Sequence, residues 1–373
     1  MKVPDKSKPL IIIANSKFPF GYANSVNVFR MTTAFAKAGY QIRLIAFRSR
    51  LMLGQNVLRI TCRRYGDNPQ IKSHFLWWPF SKGSEIFITL FSSLYLIFSN
   101  RKKIIFTRVK YTAYLSAFLK YQTIYECHAP PKSILQIVID KFLIKSKMVK
   151  FIVISSGLKS QFQSMNIDTK KMIIAHDGGR MLFSPPHPDN FKKPCRQIGY
   201  IGSLYKGRGL EIILKLAKIM QNYNFHVIGD LDAISHHPTP PIDNIYYYDT
   251  MTPNQAEHVT NLFDALLMPY QSEVKIRNNT DTSRWMSPMK MFEYMLSGVP
   301  IISSDLPALR EILINEVDSL MVEPNNLQKW KNALERFNDN QLRYKLASNA
   351  YKKASSQFTW DIRLKIILSA LNS

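Results

Sequence analysis

The chain has 373 residues, 46% of them hydrophobic and 12% aromatic, a composition typical of a globular protein with material for two cores. Its formal net charge of +24 is unevenly distributed: residues 1–186 contain 29 Lys and Arg against 7 Asp and Glu, whereas the remainder contains 21 against 19. The three cysteines lie far apart in the sequence, which excludes a disulfide framework or a cysteine metal site and favours a reducing compartment. Because "PLIIIANS" (residues 9–16) is too short for a signal peptide, we expect a cytoplasmic protein.

The N-terminal half alternates between predicted strands and helices. The apolar run "PLIIIAN" (residues 9–15) predicts a buried parallel strand, and a loop containing Gly21 leads from it into an apolar-periodic helix that ends at Gly39. The run "YQIRLIAF" (40–47) completes a βαβ unit, which implies a parallel sheet with right-handed crossovers. Further strands are predicted at "KIIFTR" (103–108), "TIYECH" (123–128) and "KFIVISS" (150–156), with a helix over "GLKSQFQSM" (157–165).

The same half carries an apolar run and two basic patches. "IFITLFSSLYLIF" (86–98) is too short to span a bilayer, so we interpret it as buried or interfacial. Of the patches "RKKIIFTRVK" (101–110) and "KFLIKSKMVK" (141–150), the second has the lysine spacing of a basic amphipathic helix. Such a helix can lie on an anionic membrane; the alternatives are a solvated lysine face or nucleic acid, for which no familiar binding module is present. The predicted membrane or acceptor face consists of Arg101, Lys102, Lys103, Lys141, Lys145 and Lys147.

A linker separates this half from a second one. "HDGGRMLFSPPHPDNFKKPC" (176–195) is rich in glycine and proline, and alternation between strands and helices restarts at "RQIGYIGSL" (196–204). We therefore predict an α/β protein of two Rossmann-like, doubly wound domains that face a central cleft at the carboxyl ends of their strands. The predicted boundaries are 1–185 for the first domain and 186–355 for the second, with a C-terminal helix over 356–373 that crosses back to the first.

"SPMKMFEYMLSG" (287–298) predicts a helix with an anion site at its start. Ser287 is a good N-cap and Pro288 is favoured at the first helical position, so the helix is expected to run to Ser297. Lys290 and Glu293 share one side of it. A cation beside the positive end of the helix dipole is explained if a phosphate binds there, and Glu293 could then accept hydrogen bonds from sugar hydroxyls. The alternative is an exposed Lys–Glu pair.

Two further segments are candidates for binding or catalysis. "YIGSLYKGRGLEIIL" (200–214) places glycines and two cations, Lys206 and Arg208, between a strand and a helix, which suits phosphate but also an ordinary solvent-facing turn. It does not match G-x-G-x-x-G, which disfavours a nicotinamide cofactor. "YECHAPP" (125–131) places His128 at a strand end, although a lone histidine is more often structural. No metal-ligand spacing, nucleophile elbow or P-loop is present, which argues against hydrolase and NTPase chemistry.

Taken together and in order, these segments resemble the GT-B-fold retaining glycosyltransferases of family 4 (glycosyltransferase group 1), in the S-P-x-K-x-F-E branch. "SPMKMFEYMLSGVPIISSDLPALRE" is similar to the family signature, and "YIGSLYKGRGLEII" to its G-S-L-Y-x-G-[KR]-G-x-E segment. "GYANSVNVFRMTTAFAKAGYQIRLIAF", "YECHAPP" and "VISSGLKSQF…MIIAHDG" resemble elements of its first domain. The resemblance covers nearly the whole chain.

The resemblance implies roles for individual residues. Glu293 corresponds to the residue that holds the donor ribose, Arg208 and Lys290 to cations at the donor diphosphate, and His128 to the histidine that flanks the reacting sugar. Gly21 lies in the loop that approaches the donor phosphates. The implied catalytic residues are His128, Arg208 and Lys290, and the implied donor-binding residues are Glu293, Gly21, Ser203, Lys206, Ser287 and Met291. The family needs no metal or other cofactor, because cations and backbone dipoles stabilise the leaving diphosphate.

Two departures from the family pattern affect these roles. Trp285 occupies the position of a first glutamate present in many members, and Asp281, Ser283 or Ser287 could replace its sugar contact. Ser203 stands where many relatives have arginine. We expect an enzyme that transfers a sugar from a UDP- or GDP-linked donor to a lipid-linked or saccharide acceptor at the cytoplasmic face of a bacterial membrane, in polysaccharide assembly. The alternatives are a non-catalytic GT-B scaffold that binds membrane or polyanion, and a sugar-nucleotide epimerase.

Overall fold

Two parallel β-sheets organise the chain in the computed structural model, which describes residues 8–52, 54–77, 83–99, 102–233, 241–275 and 280–371. The chain divides into two compact units, one formed by residues up to His176 together with those from Trp360 onward, and the other by Asp177–Thr359. The predicted boundaries were 185/186 and 355/356; the structure has them at 176/177 and 359/360.

The first unit contains a seven-stranded sheet, and every strand pair in it is parallel. Its strands are β1 (Leu10–Phe18), β2 (Ile42–Arg48), β3 (Lys72–Trp77), β4 (Ile104–Thr107), β5 (Gln122–Cys127), β6 (Val149–Val153) and β7 (Met172–Ile174). They lie in the order β3-β2-β1-β4-β5-β6-β7. The inner strands are continuous apolar runs because helices cover both faces of a parallel sheet.

The helices of the first unit form separate layers on that sheet. They are α1 (Ala23–Lys37), α2 (Val57–Tyr65), α3 (Ser84–Ile97), α4 (Lys110–Phe118), α5 (Ile134–Lys145), α6 (Ser156–Ser164) and, from the far end of the chain, α13 (Trp360–Leu371). Helices α3, α4 and α5 pack side by side, and α13 packs on α1 and β6.

The basic helix predicted over Lys141–Lys150 is wrong over its second half. Helix α5 ends at Lys145, and Ser146 turns out of the helix with extended backbone angles so that β6 can pair with β5. Lys147 lies in the turn and Lys150 in the strand. The helix instead extends seven residues further toward the N-terminus, where Ser133 caps it by accepting a hydrogen bond from the backbone N–H of Gln136.

The second unit contains a six-stranded sheet that is also parallel in every pair. Its strands, in the order β10-β9-β8-β11-β12-β13, are β8 (Gln197–Ile201), β9 (Asn224–Ile228), β10 (Ile245–Tyr248), β11 (Ala265–Met268), β12 (Ile301–Ser304) and β13 (Leu320–Val322). The helices are α7 (Leu210–Ile219), α8 (Pro253–Val259), α9 (Met289–Leu296), α10 (Pro307–Arg310), α11 (Leu327–Arg336) and α12 (Asn340–Gln357). The strand order reverses direction at β8 and β11, the position at which such sheets bind ligands.

Candidate functional site

A cluster of two cations and three tyrosines lies at the carboxyl end of the second sheet. The Lys290 ammonium nitrogen is 3.8 Å from the ring centroid of Tyr200, 5.6 Å from that of Tyr270 and 6.0 Å from that of Tyr294. The Arg208 guanidinium carbon lies 5.3 Å from the Tyr270 centroid. We call these five residues the tyrosine–cation cluster. Tyrosine faces attract cations, so the rings hold both positive groups in place.

Hydrogen bonds from the tyrosines fix the cluster to the end of β8. The Tyr294 hydroxyl accepts a hydrogen bond from the backbone N–H of Ile201 at 2.8 Å, and the Tyr200 hydroxyl donates to the Ser203 carbonyl at 2.7 Å. All three rings are almost fully buried. Helix α9, which carries Lys290, is therefore tied to the strand that leads into the Arg208 loop.

Glycines allow this loop to run close to its neighbours. Gly202 has φ +148°, and a Cβ there would lie 2.5 Å from the Lys290 ammonium nitrogen. Gly209 has φ +89°, and a Cβ there would lie 1.9 Å from the Pro269 carbonyl oxygen. A larger residue at position 202 would displace the Lys290 ammonium group, one at position 209 would collide with backbone, and either would be strained at its positive φ.

The two cations raise each other's electrostatic cost. Burial, reinforced by the Arg208 charge, holds the pKa of Lys290 well below its ordinary value, although Glu293 opposes the shift. The Arg208 Nε is buried, and no described residue accepts its hydrogen bond. Adjacent positive charges repel each other, and a buried donor without an acceptor has lost its hydrogen bond to water. Both costs are offset when the two cations surround an anion.

Helix α9 supplies a further anion-binding feature. It begins at Met289 with Pro288 as N-cap, and no side chain caps it. The predicted capping role of Ser287 is therefore wrong: its hydroxyl instead accepts a hydrogen bond from the backbone N–H of Asp177 at 3.3 Å. Because Pro288 is the N-cap, no capping side chain accepts a hydrogen bond from the first N–H groups of the helix. The positive end of the helix dipole therefore lies at the turn that carries Lys290.

The other predicted donor-binding residues of the second unit occupy different environments. Glu293 is half-buried on α9 and close enough to Lys290 and Tyr270 to shift the pKa of both. The Met291 side chain is 1% exposed and packs in the core, so only its backbone can serve a ligand. Ser203 and Lys206 are exposed in the loop between β8 and α7. The structure thus brings Arg208, Lys290 and Glu293 together, with Ser203 and Lys206 on their loop.

The candidates for the sugar contact are engaged in their own loop. The Asp281 carboxylate accepts hydrogen bonds from the backbone N–H groups of Val274 and Ser283 at 2.8 and 3.0 Å, and from the Ser283 hydroxyl at 2.9 Å. Burial opposes ionisation of Asp281, but these bonds outweigh it and lower the pKa of the carboxyl. Trp285 lies in the same loop, and its backbone N–H donates a hydrogen bond to the Thr282 carbonyl.

In the first unit, His128 follows β5 and belongs to a buried ionic network. Its Nε2 is 2.5 Å from Glu126, whose carboxylate also contacts Arg363 at 2.8 Å and Arg108 at 3.5 Å. Burial opposes ionisation of Glu126, but Arg363, His128 and Arg108 outweigh it and hold its pKa far below its ordinary value. Burial and the Arg108 charge lower the pKa of His128 to about 4.

This network defines the state of the histidine. At neutral pH His128 is uncharged, and its Nε2–H donates to the ionised Glu126, so Nδ1 is the acceptor on the other side of the ring. Arg108 also donates to the Asn24 carbonyl at 3.2 Å, at the start of α1, close in sequence to the exposed Gly21. Gly21 and His128 follow β1 and β5, so both lie at the carboxyl edge of the first sheet.

Several residues of these two clusters were not predicted from the sequence. Glu126 lies two positions before His128, and Tyr200 and Tyr294 lie within the quoted motifs. Their roles could not be assigned because the residues that they contact are remote in sequence. Arg363 could not be inferred, because it lies 237 positions beyond Glu126.

The basic residues predicted for the membrane face lie at the opposite edge of the first sheet. Lys102 and Lys103 precede β4, and Lys145 and Lys147 precede β6, so they gather where the parallel strands begin; Lys141 lies one turn earlier on α5. Arg101 lies outside the described residues. In the described part of the chain no group of three or more His, Cys, Asp and Glu side chains could hold a metal ion, and no described helix is long and apolar enough to cross a membrane.

Solved structures of several glycosyltransferases are similar to this chain over nearly its whole length. HepE from Anabaena, determined in complex with UDP, is 12% identical over 98% of this chain and 99% of its own, with a TM-score of 0.69. A glycosyltransferase from Rickettsia africae is 14% identical over 98% and 99%, with a TM-score of 0.68. WaaG, described as a glycosyltransferase involved in lipopolysaccharide biosynthesis, is 11% identical over 98% and 100%, with a TM-score of 0.63. A search of curated protein sequences gives no match.

The two parallel-sheet Rossmann-like units therefore match a GT-B fold. Residues 195–340, within the second unit, match the family described as glycosyl transferases group 1, which makes the protein a glycosyltransferase. The tyrosine–cation cluster lies inside this matched region.

Proposed function

We propose that the protein is a retaining glycosyltransferase of family 4, in the S-P-x-K-x-F-E branch, which uses a UDP- or GDP-linked sugar as donor. The observation that carries the proposal is the tyrosine–cation cluster: Arg208 and Lys290, held against tyrosine rings beside the uncapped start of α9. Two neighbouring cations and a buried guanidinium donor match the two phosphates of a nucleoside diphosphate. HepE, one of the similar structures, was determined with UDP and with UDP-glucose.

Each residue of the cluster has a distinct part in this reaction. Arg208 and Lys290 neutralise the charge that develops on the diphosphate as it leaves the sugar, and the N–H groups at the start of α9 add a fixed dipole. Glu293, one turn deeper in the helix, accepts hydrogen bonds from the ribose hydroxyls. A bound diphosphate stabilises the charged form of Lys290 and so offsets the cost of its burial beside Arg208. These groups need no metal ion, so we propose that the enzyme works without a cofactor.

His128 serves the sugar as a neutral group. With its Nε2–H on Glu126, its Nδ1 accepts a hydrogen bond from a sugar hydroxyl, and Glu126, Arg108 and Arg363 keep the ring in that orientation. Retention follows from attack on the face that the diphosphate leaves, with a phosphate oxygen accepting the proton of the attacking hydroxyl. Gly21, Ser203, Lys206, Ser287 and the backbone of Met291 complete the donor site.

The acceptor is proposed to be a lipid-linked saccharide in bacterial capsule, O-antigen or exopolysaccharide assembly, bound by the first unit. Support comes from the basic character of that unit and from WaaG, described as acting in lipopolysaccharide biosynthesis. The protein would work at the cytoplasmic face of the membrane as a peripheral protein, through a face containing Arg101, Lys102, Lys103, Lys141, Lys145 and Lys147. We propose no nucleic-acid partner.

The experiment that tests the donor site is a thermal-shift panel of UDP, GDP, ADP and their common sugar conjugates on the wild type and two variants. One nucleotide should stabilise the wild type, and Glu293→Ala should lose most of that shift, since each hydrogen bond to a charged group contributes about 1.5–3 kcal/mol. Glu335→Ala, an exposed glutamate of the same unit, should keep it. A full shift in Glu293→Ala would overturn the ribose assignment, and no shift with any nucleotide would favour a non-catalytic scaffold.

A further inference from the structure

The outer surfaces of α3, α4 and α5 are apolar where a globular protein normally exposes polar residues. On α3, Ile86, Leu90 and Leu94 recur every four residues with 61%, 62% and 62% of their surface exposed. The opposite side of this helix, at Ile88 and Leu96, is buried against the sheet. Helix α3 therefore has one apolar side that packs and a second that does not.

The two neighbouring helices continue this surface. On α5, Ile134, Val138 and Phe142 recur at the same four-residue spacing, with 80%, 58% and 38% exposed. On α4, Tyr114 and Phe118 face outward, and the Tyr114 ring lies 5.0 Å from that of Phe142. We call the outward side of these three packed helices the apolar face; its exposed members are Ile86, Leu90, Phe91, Leu94, Ile97, Phe98, Tyr114, Phe118, Ile134, Leu135, Val138 and Phe142.

The apolar face is too large to be incidental. It holds 12 of the 23 exposed large hydrophobic side chains found among the described residues, whereas the second unit contributes seven that are spread over several segments. At more than half exposure on average, twelve such side chains present on the order of 1,000 Å² of apolar surface. Monomeric proteins rarely expose more than a few hundred Å² in one patch unless a partner covers it.

The charges around the face decide which partner fits. Lysines follow the C-terminal ends of all three helices: Lys102 and Lys103 after α3, Lys120 after α4, and Lys147 after α5. The three helices contain only two acidic residues, and one of them, Asp140, is fully buried against Lys110 at 2.6 Å. The apolar face thus has a cationic edge and almost no acidic groups.

We infer that the apolar face is an insertion surface for an anionic lipid bilayer, with its side chains in the headgroup–acyl boundary and the lysines on lipid phosphates. A second copy of the chain would bring an equally cationic surface against this one, with Glu85 as the one exposed carboxylate of its three helices. An anionic bilayer supplies both the apolar phase and the negative charge. The inference rests on the membrane association proposed above. It assigns the main membrane contact to the apolar face and a supporting contact to the lysines.

The position of the face suits an acceptor that stays in the membrane. Helix α5 begins six residues after His128, so Ile134 and Leu135 lie near the sheet edge that carries His128 and Gly21. The lysines lie at the opposite edge. A lipid chain anchored along the apolar face would place its saccharide head toward the histidine.

The test is co-sedimentation of the full chain with vesicles of phosphatidylcholine and phosphatidylglycerol in a 3:1 ratio, at 150 mM and 1 M NaCl. The wild type should bind at both salt concentrations, since apolar insertion survives screening. The double variant Leu90→Ser and Leu94→Ser should bind at least tenfold more weakly at both. Lys141→Glu with Lys145→Glu should weaken binding mainly at 150 mM. Ile219→Ser with Leu262→Ser, exposed positions of the second unit, should bind like the wild type.

A second measurement keeps the inference falsifiable if a serine variant misfolds. Phe118→Trp should show a blue-shifted emission when vesicles are added, whereas Leu262→Trp should not. Equal binding by the wild type and the Leu90/Leu94 variant, or no shift at position 118, would overturn the inference. A wild-type dimer in light scattering that becomes monomeric in the Leu90/Leu94 variant, with unchanged vesicle binding, would assign the face to a second copy. Nucleotide binding without vesicle binding in the wild type would contradict this inference and leave the donor site intact. Vesicle binding without nucleotide binding would contradict the donor site and leave this inference intact.

Discussion

The two units have the same strand order around their first strands but very different net charges. The first contains 30 Lys and Arg against 7 Asp and Glu, and the second contains 20 against 19. In the second unit many carboxylates pair with cations at the surface, as in Arg336–Glu316 and Lys329–Glu323. In the first unit the carboxylates of Glu126 and Asp140 are instead fully buried with their cations.

The difference shows how one architecture can present two kinds of charged surface. The second unit neutralises its surface and concentrates two cations against tyrosine rings at one sheet edge, which suits the small anionic donor proposed for it. The first unit uses its few acids inside and leaves its surface cationic beside an apolar helical layer, which suits an extended partner. The fold is the same in both units, so it cannot account for this difference. The excess of about twenty positive charges in the first unit does.

The largest effect is expected at the buried network of the first unit. Glu126→Ala leaves Arg363 and Arg108 buried without their counter-charge, which typically costs about 3–5 kcal/mol. Hydrogen exchange followed by mass spectrometry should show faster exchange in β5 and α13 and unchanged exchange in α9. Glu85→Ala, an exposed glutamate of the same unit, should change little. Equal behaviour of the two variants would contradict the role given to the network.

Arg208→Ala should weaken the nucleoside diphosphate roughly 10- to 100-fold, since it removes hydrogen bonds to a charged group worth about 1.5–3 kcal/mol. Binding of the matching nucleoside should change less than about threefold. Titration calorimetry with both ligands measures the difference, and Lys215→Ala, an exposed cation of α7, is the matched control. An equal loss for nucleoside and diphosphate would show that Arg208 does not contact the phosphates.

Lys290→Met should stabilise the ligand-free protein by about 1–2 kcal/mol while it weakens diphosphate binding, because a partly desolvated cation is replaced by an apolar side chain of similar length. The folded-state pKa of Lys290 lies below its ordinary value, so the folded protein binds fewer protons than the unfolded chain, and the lysine's penalty shrinks as pH rises. The melting-temperature gap between variant and wild type should therefore narrow from pH 7 to 10. A gap of opposite sign at pH 7 would refute this.

The smallest effect at neutral pH concerns His128. Its pKa of about 4 lies below the ordinary 6.5, so the unfolded chain binds an extra proton between these values and the native state loses stability on acidification through that window. At pH 7.5 His128→Gln should leave stability almost unchanged, and at pH 5 it should remove this loss, which is about 2 kcal/mol. Chemical unfolding at the two pH values measures it. The stabilising contribution of Glu126 is lost mainly below pH 4.5, so the comparison at pH 5 reports chiefly on His128.

The sequence predicted the strands that are continuous apolar runs with glycine or polar ends, such as β1, β2, β6 and β8. It did not predict β3 (Lys72–Trp77), an edge strand with polar side chains, or β13, which has three residues. The lysines of 141–150 imitated a longer basic helix because Lys141 and Lys145 do lie on α5, whereas the pairing of β6 with β5 ends the helix before Lys147. The exposed side of α3 could not be foreseen, since an apolar run does not reveal which of its sides is covered.

For the candidate site, the motif residues Arg208, Lys290 and Glu293 could be named from the sequence because glycines and helix starts mark the backbone around anions. Their roles stay predictions. The partners could not be named: Tyr270 reaches Arg208 and Lys290 only after β11 is placed beside β8, and Arg363 reaches Glu126 only through the docking of α13. Long-range contacts of this kind leave no local pattern in the chain.

The contact between Arg363 and Glu126 has a consequence for biosynthesis. Glu126 emerges from the ribosome long before its counter-charge, because the whole of residues 177–359 is translated between them. At 5–20 residues per second, that interval is on the order of ten to forty seconds. During that interval the Glu126 carboxylate lacks one of its cations, so we expect the first unit to be less stable until α13 docks. Helix α13 thus completes a unit whose other elements are all translated before the second unit.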